Sequence, residues 1–203
     1  MADAIMRAGI TDWATAINTL CTPPLDGLQY HKHITTHVLD GDDLTWTCKE
    51  PGMRHVFLIR EPERVAASFN LLLPNAETNT QSKVDELEQY IGFHQQYRLF
   101  NHIKEHSSVA PLVIDSSRFL TDPERHLQRL CSALDIPFES SMLSWPAGER
   151  ISDGVWASHW YASVHRSTGF GPSPRGLPEL NDVQAAVAMR CRPVYDELLA
   201  HTN

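Results

Sequence analysis

The stretch His55–Phe69 constrains this chain more than any other. His55-Val-Phe-Leu-Ile59 is a continuous apolar run, which suits a strand covered on both faces, as in a parallel sheet. Arg60 and Glu61 follow, and Pro62 opens a helix where proline's missing N–H costs nothing. Val65, Ala66, Phe69 and Leu72 mark the helix's apolar face, and Pro74 ends it. This order puts Arg60 at the carboxyl end of a strand, where ligands collect in open parallel sheets. Its guanidinium is a planar fork of donors matched to phosphate oxygens. The helix start adds free N–H groups and a partial positive charge. Ser68 lies eight residues beyond Arg60, and the helix rises ~9 Å from Pro62 to Ser68, so the turn must fold Arg60 back toward it. The plainer alternative pairs Arg60 with Glu61 or Glu63 and makes Ser68 a small helix-packing residue.

The rest of the chain alternates in the same way. Trp13, Ile17 and Leu20 predict a first helix behind a Thr11 cap, stopped by Thr22-Pro-Pro24. Gln29 to Ile34 is a short, polar strand candidate. Ser82 with Asp85 reads as a capping box for one amphipathic helix running to about His106. Leu112 to Ile114 is a second buried strand, Asp122-Pro123 opens another helix, and a last helix from about Asn181 must bend or break near Pro193. Strands alternating with helices mean an α/β fold with a parallel sheet. Three strands are few for this class, so the sheet is expected to be incomplete.

Composition fits one domain over 1–203, with 177–203 as a C-terminal helical tail: 203 residues, 42% hydrophobic and 21% charged. Seventeen Lys+Arg against 25 Asp+Glu give a net charge of −8. That balance argues against a general nucleic-acid or membrane-surface role, since each needs a basic face. The four cysteines are scattered with no CxxC pair, which reads as reduced thiols. The N-terminus lacks a signal-peptide pattern, and no apolar run approaches the roughly 20 residues that span a bilayer. The expectation is a cytoplasmic protein.

The string His-Val-Phe-Leu-Ile-Arg-Glu-Pro-Glu-Arg-Val-Ala-Ala-Ser-Phe (55–69) resembles the 3′-phosphate-binding segment of sulfotransferases that use 3′-phosphoadenosine 5′-phosphosulfate (PAPS). Leu-Val-Ile-Asp-Ser (112–116), Leu-Asp-Ile-Pro-Phe (134–138), Met-Leu-Ser-Trp-Pro-Ala-Gly (142–148), Asp-Gly-Val-Trp-Ala-Ser-His-Trp-Tyr (153–161) and Arg-Ser-Thr-Gly-Phe (166–170) extend the likeness from roughly Thr11 to Phe170. The resemblance implies a three-layer, P-loop-like α/β fold with Arg60 and Ser68 on the 3′-phosphate of PAPS or adenosine 3′,5′-bisphosphate, and Arg166 as a second cation. It also implies Lys32 as a charge stabiliser near the sulfuryl group and His33 or His37 as base. On strand alternation Lys32 faces away from His31 and His33, and the alternative makes His33 a structural or surface histidine.

Family members open with a strand, a Gly- and Ser/Thr-containing loop and a helix that cradle the 5′-phosphosulfate. No GxxxxGK[ST] occurs here, and none of the ten glycines precedes a lysine. The expectation is therefore an N-terminally truncated fold beginning after that unit. Three functions stay open: a sulfotransferase acting on a small-molecule hydroxyl or amine; an inactive homologue that binds nucleotide or dimerises through an exposed sheet edge; and, against the missing lysine, a P-loop phosphotransferase.

Other residues carry plainer readings. His31, His33 and His37 suggest a metal site with no carboxylate or cysteine to complete it, so no metal is expected. Trp156, Trp160 and Tyr161 could stack on adenine or line an acceptor pocket, but their spacing suits core packing as well. Asp115, at a strand end, reads as a cap for the next turn.

Overall fold

Pro62 begins a helix as its fixed φ demands, and the run before it is extended. A computed structural model of the protein describes residues 9–10, 12–21, 27–38, 41–50, 52–69, 80–151, 153–155, 157, 161–173 and 175–202. In chain order the elements are α1 (Trp13–Leu20), β1 (Val56–Ile59), α2 (Pro62–Ser68), α3 (Thr80–Ile91), α4 (Phe93–His106), β2 (Leu112–Asp115), α5 (Ser116–Phe119), α6 (Pro123–Leu134), α7 (Ala162–Arg166) and α8 (Asp182–Leu199). Short 3₁₀ turns lie at Thr35–His37, Thr45–Cys48 and Ser140–Leu143. The elements fall into two compact units, one from Lys32–Thr121 and Ser173–Asn203, the other from Met1–His31 and Asp122–Pro172.

The first of these, the sheet unit, is built on β1 and β2, which pair in parallel with Val56 opposite Leu112 and Ile59 opposite Asp115. Thr202 bridges to Val113 in parallel. The parallel sheet of the α/β reading is therefore present, and it has two strands among the described residues. α8 packs on both strands and on α2, α3 and α4. One sheet face is the core: Phe57, Ile59 and Val113 are buried with Leu87, Phe100, Ile103, Val187 and Leu198. Phe57 meets Phe100 edge to face, 5.4 Å between ring centres. Each fully buried side chain of this size contributes about 1.5–3 kcal/mol. β1 is not covered on both faces. Val56 and Leu58 are 41% and 64% exposed, because the packing helices gather on the Phe57–Ile59 side.

Three expectations need correction here. Residues 29–34 form no strand: they find no neighbour to pair with and lead irregularly into the Thr35–His37 turn. The helix expected from Ser82 to His106 is two helices. Gly92 sits between them at φ 74°, and a Cβ there would lie 2.8 Å from Thr36 Cγ2. A left-handed residue ends the i→i−4 ladder that periodicity alone carries forward. Of the bend or break expected near Pro193, the break does not occur: α8 runs 18 residues through it. The carbonyl it leaves without a partner belongs to Met189, itself 74% exposed, so water can satisfy it.

The second unit is held by caps and turns. Asp12, rather than Thr11, caps α1, accepting from Thr15 N–H at 2.7 Å; Thr11 and 22–26 lie outside the described residues. Asp122 caps α6 with Pro123 at its first position, and Asp135 closes it in the left-handed region at φ 56°. Ser144 and Gly169 form an antiparallel bridge, with Trp145 N–H on Thr168 O at 3.1 Å. No described helix is long and apolar enough to cross a membrane. All four cysteines are free thiols.

Candidate functional site

Parallel register brings the residues after β1 and those after β2 to one end of the sheet unit. Asp115 closes β2, is 3% exposed, and accepts from Arg118 N–H at 2.8 Å, capping α5. Its other oxygen accepts the Tyr195 hydroxyl at 3.0 Å. Burial, then the Asp115 contact, pushes the Tyr195 phenol well above its usual range. Asp115 is thus a cap and a buried anchor for α8.

Arg60 follows β1 and is exposed. Both carboxylates that could have paired with it are taken by other arginines. Glu61 pairs with Arg64 and accepts from Ser117 Oγ at 3.0 Å, while Glu63 pairs with Arg192. Burial pushes the Glu61 carboxyl up, but the Arg64 and Ser117 hydrogen bonds and the charges of Arg64 and Arg192 outweigh it and hold the group below its ordinary value. Arg64 also donates to Gly176 O. Arg60 makes no hydrogen bond or ion pair among the described residues, so its guanidinium fork is available. Ser68 ends α2, exposed, its hydroxyl donating to Val65 O at 2.7 Å.

Lys32 and His33 are exposed in the irregular segment before Thr35. The His33 ring tilts against Trp46 at 5.3 Å. Among the described residues no hydrogen bond or ion pair joins Arg60 to Lys32, His33 or Ser68. Arg166 belongs to the other unit, where it ends α7, exposed and without a hydrogen bond or ion pair among the described residues. Trp156 and Trp160 lie outside the described residues, and Tyr161 sets its ring edge to His165 at 6.0 Å. Among the described residues no three His, Cys, Asp or Glu side chains gather as a metal-ligand set.

Two arrangements escape sequence reading. The Glu61–Ser117 link spans 56 residues and the Glu63–Arg192 pair 129, so only the fold reveals that both carboxylates beside Arg60 have other partners. His165 Nε2 meets Asp153 Oδ2 at 2.9 Å across 12 residues with no motif to announce it.

These features define a mixed α/β protein that presents, at the carboxyl end of a parallel strand, an arginine with no partner among the described residues. The sequence model of the family described as "Sulfotransferase domain" matches residues 1–201, and the chain belongs to this family. It is 34% identical over 176 residues to "Branched-chain-amino-acid aminotransferase-like protein 1" of Arabidopsis thaliana, a match covering 86% of this chain and 29% of that protein. It is 34% identical over 149 residues to "Branched-chain-amino-acid aminotransferase-like protein 2" of the same plant, covering 73% and 24%. The chain thus spans about a quarter of the length of these curated relatives. No solved structure matches it.

Proposed function

We propose that this chain binds a 3′-phosphoadenosine nucleotide, with Arg60 and Ser68 on its 3′-phosphate. We further propose that it serves PAPS-dependent sulfuryl transfer to a small-molecule hydroxyl or amine on a three-layer, P-loop-like sheet. The observation that carries the reading is Arg60 itself. Three other arginines of the sheet unit have protein acceptors: Arg64 has Glu61, Arg192 has Glu63, and Arg118 Nη1 donates to Thr202 at 2.9 Å. Arg60 has none among the described residues. An exposed guanidinium at a strand end, beside a helix start, suits a phosphate. Pairing of Glu61 and Glu63 with arginines reduces the repulsion those carboxylates would exert on it.

PAPS, when bound, supplies the sulfuryl group. Arg60 grips a phosphate through two parallel N–H bonds and fixes its orientation. Ser68 rotates its hydroxyl from Val65 O to a phosphate oxygen. Lys32 is proposed to offset negative charge, and His33 to take the acceptor's proton on a ring nitrogen. Arg166 is proposed as an anion contact in its own right. The aminotransferase-like name of the relatives stays with those longer proteins.

The nucleotide reading is tested by thermal unfolding with adenosine 3′,5′-bisphosphate. A ligand at 100 times its Kd stabilises by about 2.7 kcal/mol, so Tm should rise with concentration, and PAPS should yield a sulfated product with some hydroxyl or amine acceptor. An unchanged Tm at millimolar nucleotide contradicts the binding. A second reading, an interaction protein without turnover, draws on the exposed Val56 and Leu58 of the outer sheet face. It expects a Tm shift without product, and a homodimer by light scattering.

A further inference from the structure

A second exposed arginine of the sheet unit is linked to Arg60 through a short chain of bonds. Residues 173–203 belong to that unit, together with β1, β2 and the turns that follow them. Two bonds tie the segment before α8 to those turns. Ser173 Oγ donates to Ser117 O at 3.2 Å, and Arg64 donates to Gly176 O. Both anchors lead to the residue after Arg60: Ser117 Oγ donates to Glu61 Oε2 at 3.0 Å, and Arg64 pairs with the same oxygen. Gly176 offers its carbonyl from the left-handed region, φ 64°, which glycine adopts without strain. Arg60 is one peptide from Glu61 and Arg175 one peptide from Gly176, about 3.8 Å between Cα atoms in each case. The Arg64 guanidinium therefore joins the two backbones. Arg175 is exposed and, like Arg60, makes no hydrogen bond or ion pair among the described residues.

The charges around this link are unevenly matched. Glu61 is met by Arg64, and Glu63 by Arg192, which also approaches Asp196 at 3.6 Å. Asp115 takes the Tyr195 hydroxyl and the N–H of Arg118 in its own turn. Glu179, four residues beyond Arg175, is exposed and forms no ion pair with it among the described residues. Two positive charges, on Arg60 and Arg175, are left without a protein counter-charge there. The chain as a whole carries −8, so this end of the sheet reverses the overall field. Like charges brought close repel until an anion lies between them. A phosphate monoester carries about −1.5 to −2 at neutral pH on three acceptor oxygens, which matches two guanidinium forks. We propose that Arg60 and Arg175 form a two-arginine grip on one phosphate monoester, the 3′-phosphate of the nucleotide; this rests on the nucleotide reading above. The Ser173 and Arg64 bonds hold the Arg175 segment in place before the ligand arrives. Binding then orders a side chain instead of a side chain and its loop, and the saved entropy appears as affinity.

The test is calorimetric titration of adenosine 3′,5′-bisphosphate, and of adenosine 5′-monophosphate beside it, into the full chain and its variants. Wild type should prefer the bisphosphate. Arg175→Ala should weaken bisphosphate binding about tenfold, as loss of one charge-assisted contact would. It should leave the monophosphate unaffected, which separates a lost 3′-phosphate contact from damage to the fold. A chain carrying both Arg60→Ala and Arg175→Ala should bind the bisphosphate no tighter than wild type binds the monophosphate. Arg129→Ala, which removes an exposed arginine of the other unit, should bind both nucleotides as wild type does. Normal bisphosphate binding by Arg175→Ala overturns the inference. So does an equal loss for the two nucleotides, a preference for the bisphosphate that survives in the double variant, or a loss in Arg129→Ala as large as in Arg175→Ala. Arg60→Ala is the control for the underlying reading. If wild type does not bind, or Arg60→Ala binds equally, the nucleotide reading falls and this inference with it. If Arg60→Ala loses affinity while Arg175→Ala keeps it, this inference alone falls.

Discussion

The two units present, by opposite means, an arginine that has no partner among the described residues. In the sheet unit Arg60 follows a strand whose inner face is packed against α8 and a buried apolar cluster. In the other unit Arg166 stands on a short helix held by directional bonds, Asp153 to His165 and Trp145 to Ser167. Among the described residues of that unit only Cys21, Cys131 and Ala157 are buried apolar side chains. The contrast teaches that a cation can be aimed by hydrophobic packing several residues away or by hydrogen bonds to its immediate neighbours. The two designs should fail differently under mutation.

The largest expected effect tests the packed side. Phe100→Ala removes a ring that is 1% exposed and meets both Phe57 and His201. It should cost about 3–5 kcal/mol in denaturant unfolding; a loss below about 1 kcal/mol would mean that the sheet unit is not held by its core. Gly92→Ala comes next, at about 1–3 kcal/mol, from a positive φ and the crowding against Thr36. A neutral result would show that the α3–α4 break does not depend on glycine.

That break marks where sequence reading stopped. Pro62 and Pro123 at helix starts, and Asp115 and Asp122 as caps, were legible because proline's ring and an aspartate's reach act within four residues. Gly92 was not, since its conformation is decided by Thr35 and Thr36, far away in the chain. The strand expected at 29–34 had the local pattern without a partner. Arg60 was visible as an arginine after a strand, but its freedom depends on Glu63 choosing Arg192 over it. Likewise Arg166 was legible through the family resemblance, whereas the Asp153–His165 contact beside it was not. Local chemistry shows in sequence, and the partners that long-range folding selects do not.

The bonded side should respond more mildly. Trp145→Phe keeps the ring against Phe170 but deletes the bond to Ser167, and should cost about 1 kcal/mol by the same unfolding assay. A cost matching Phe100→Ala would erase the distinction between the units.

The smallest effect is a pH slope. Burial lowers the His55 pKa from its ordinary 6.5, and the bond to Thr47 O only partly opposes this. The unfolded chain therefore takes up the proton first, so stability should fall as pH drops below about 6.5. His55→Gln should flatten that part of the curve. An unchanged slope in the variant would assign it to other groups.

On the reading proposed above, Arg60 has no partner among the described residues because it awaits a phosphate. Calorimetric titration of adenosine 3′,5′-bisphosphate into wild type and Arg60→Ala at low salt tests it directly. Wild type should bind saturably, the variant should lose at least tenfold in affinity, and the two should melt at the same temperature without ligand, since Arg60 makes no hydrogen bond or ion pair among the described residues. Equal affinity in the two proteins, or no binding by either, would contradict it.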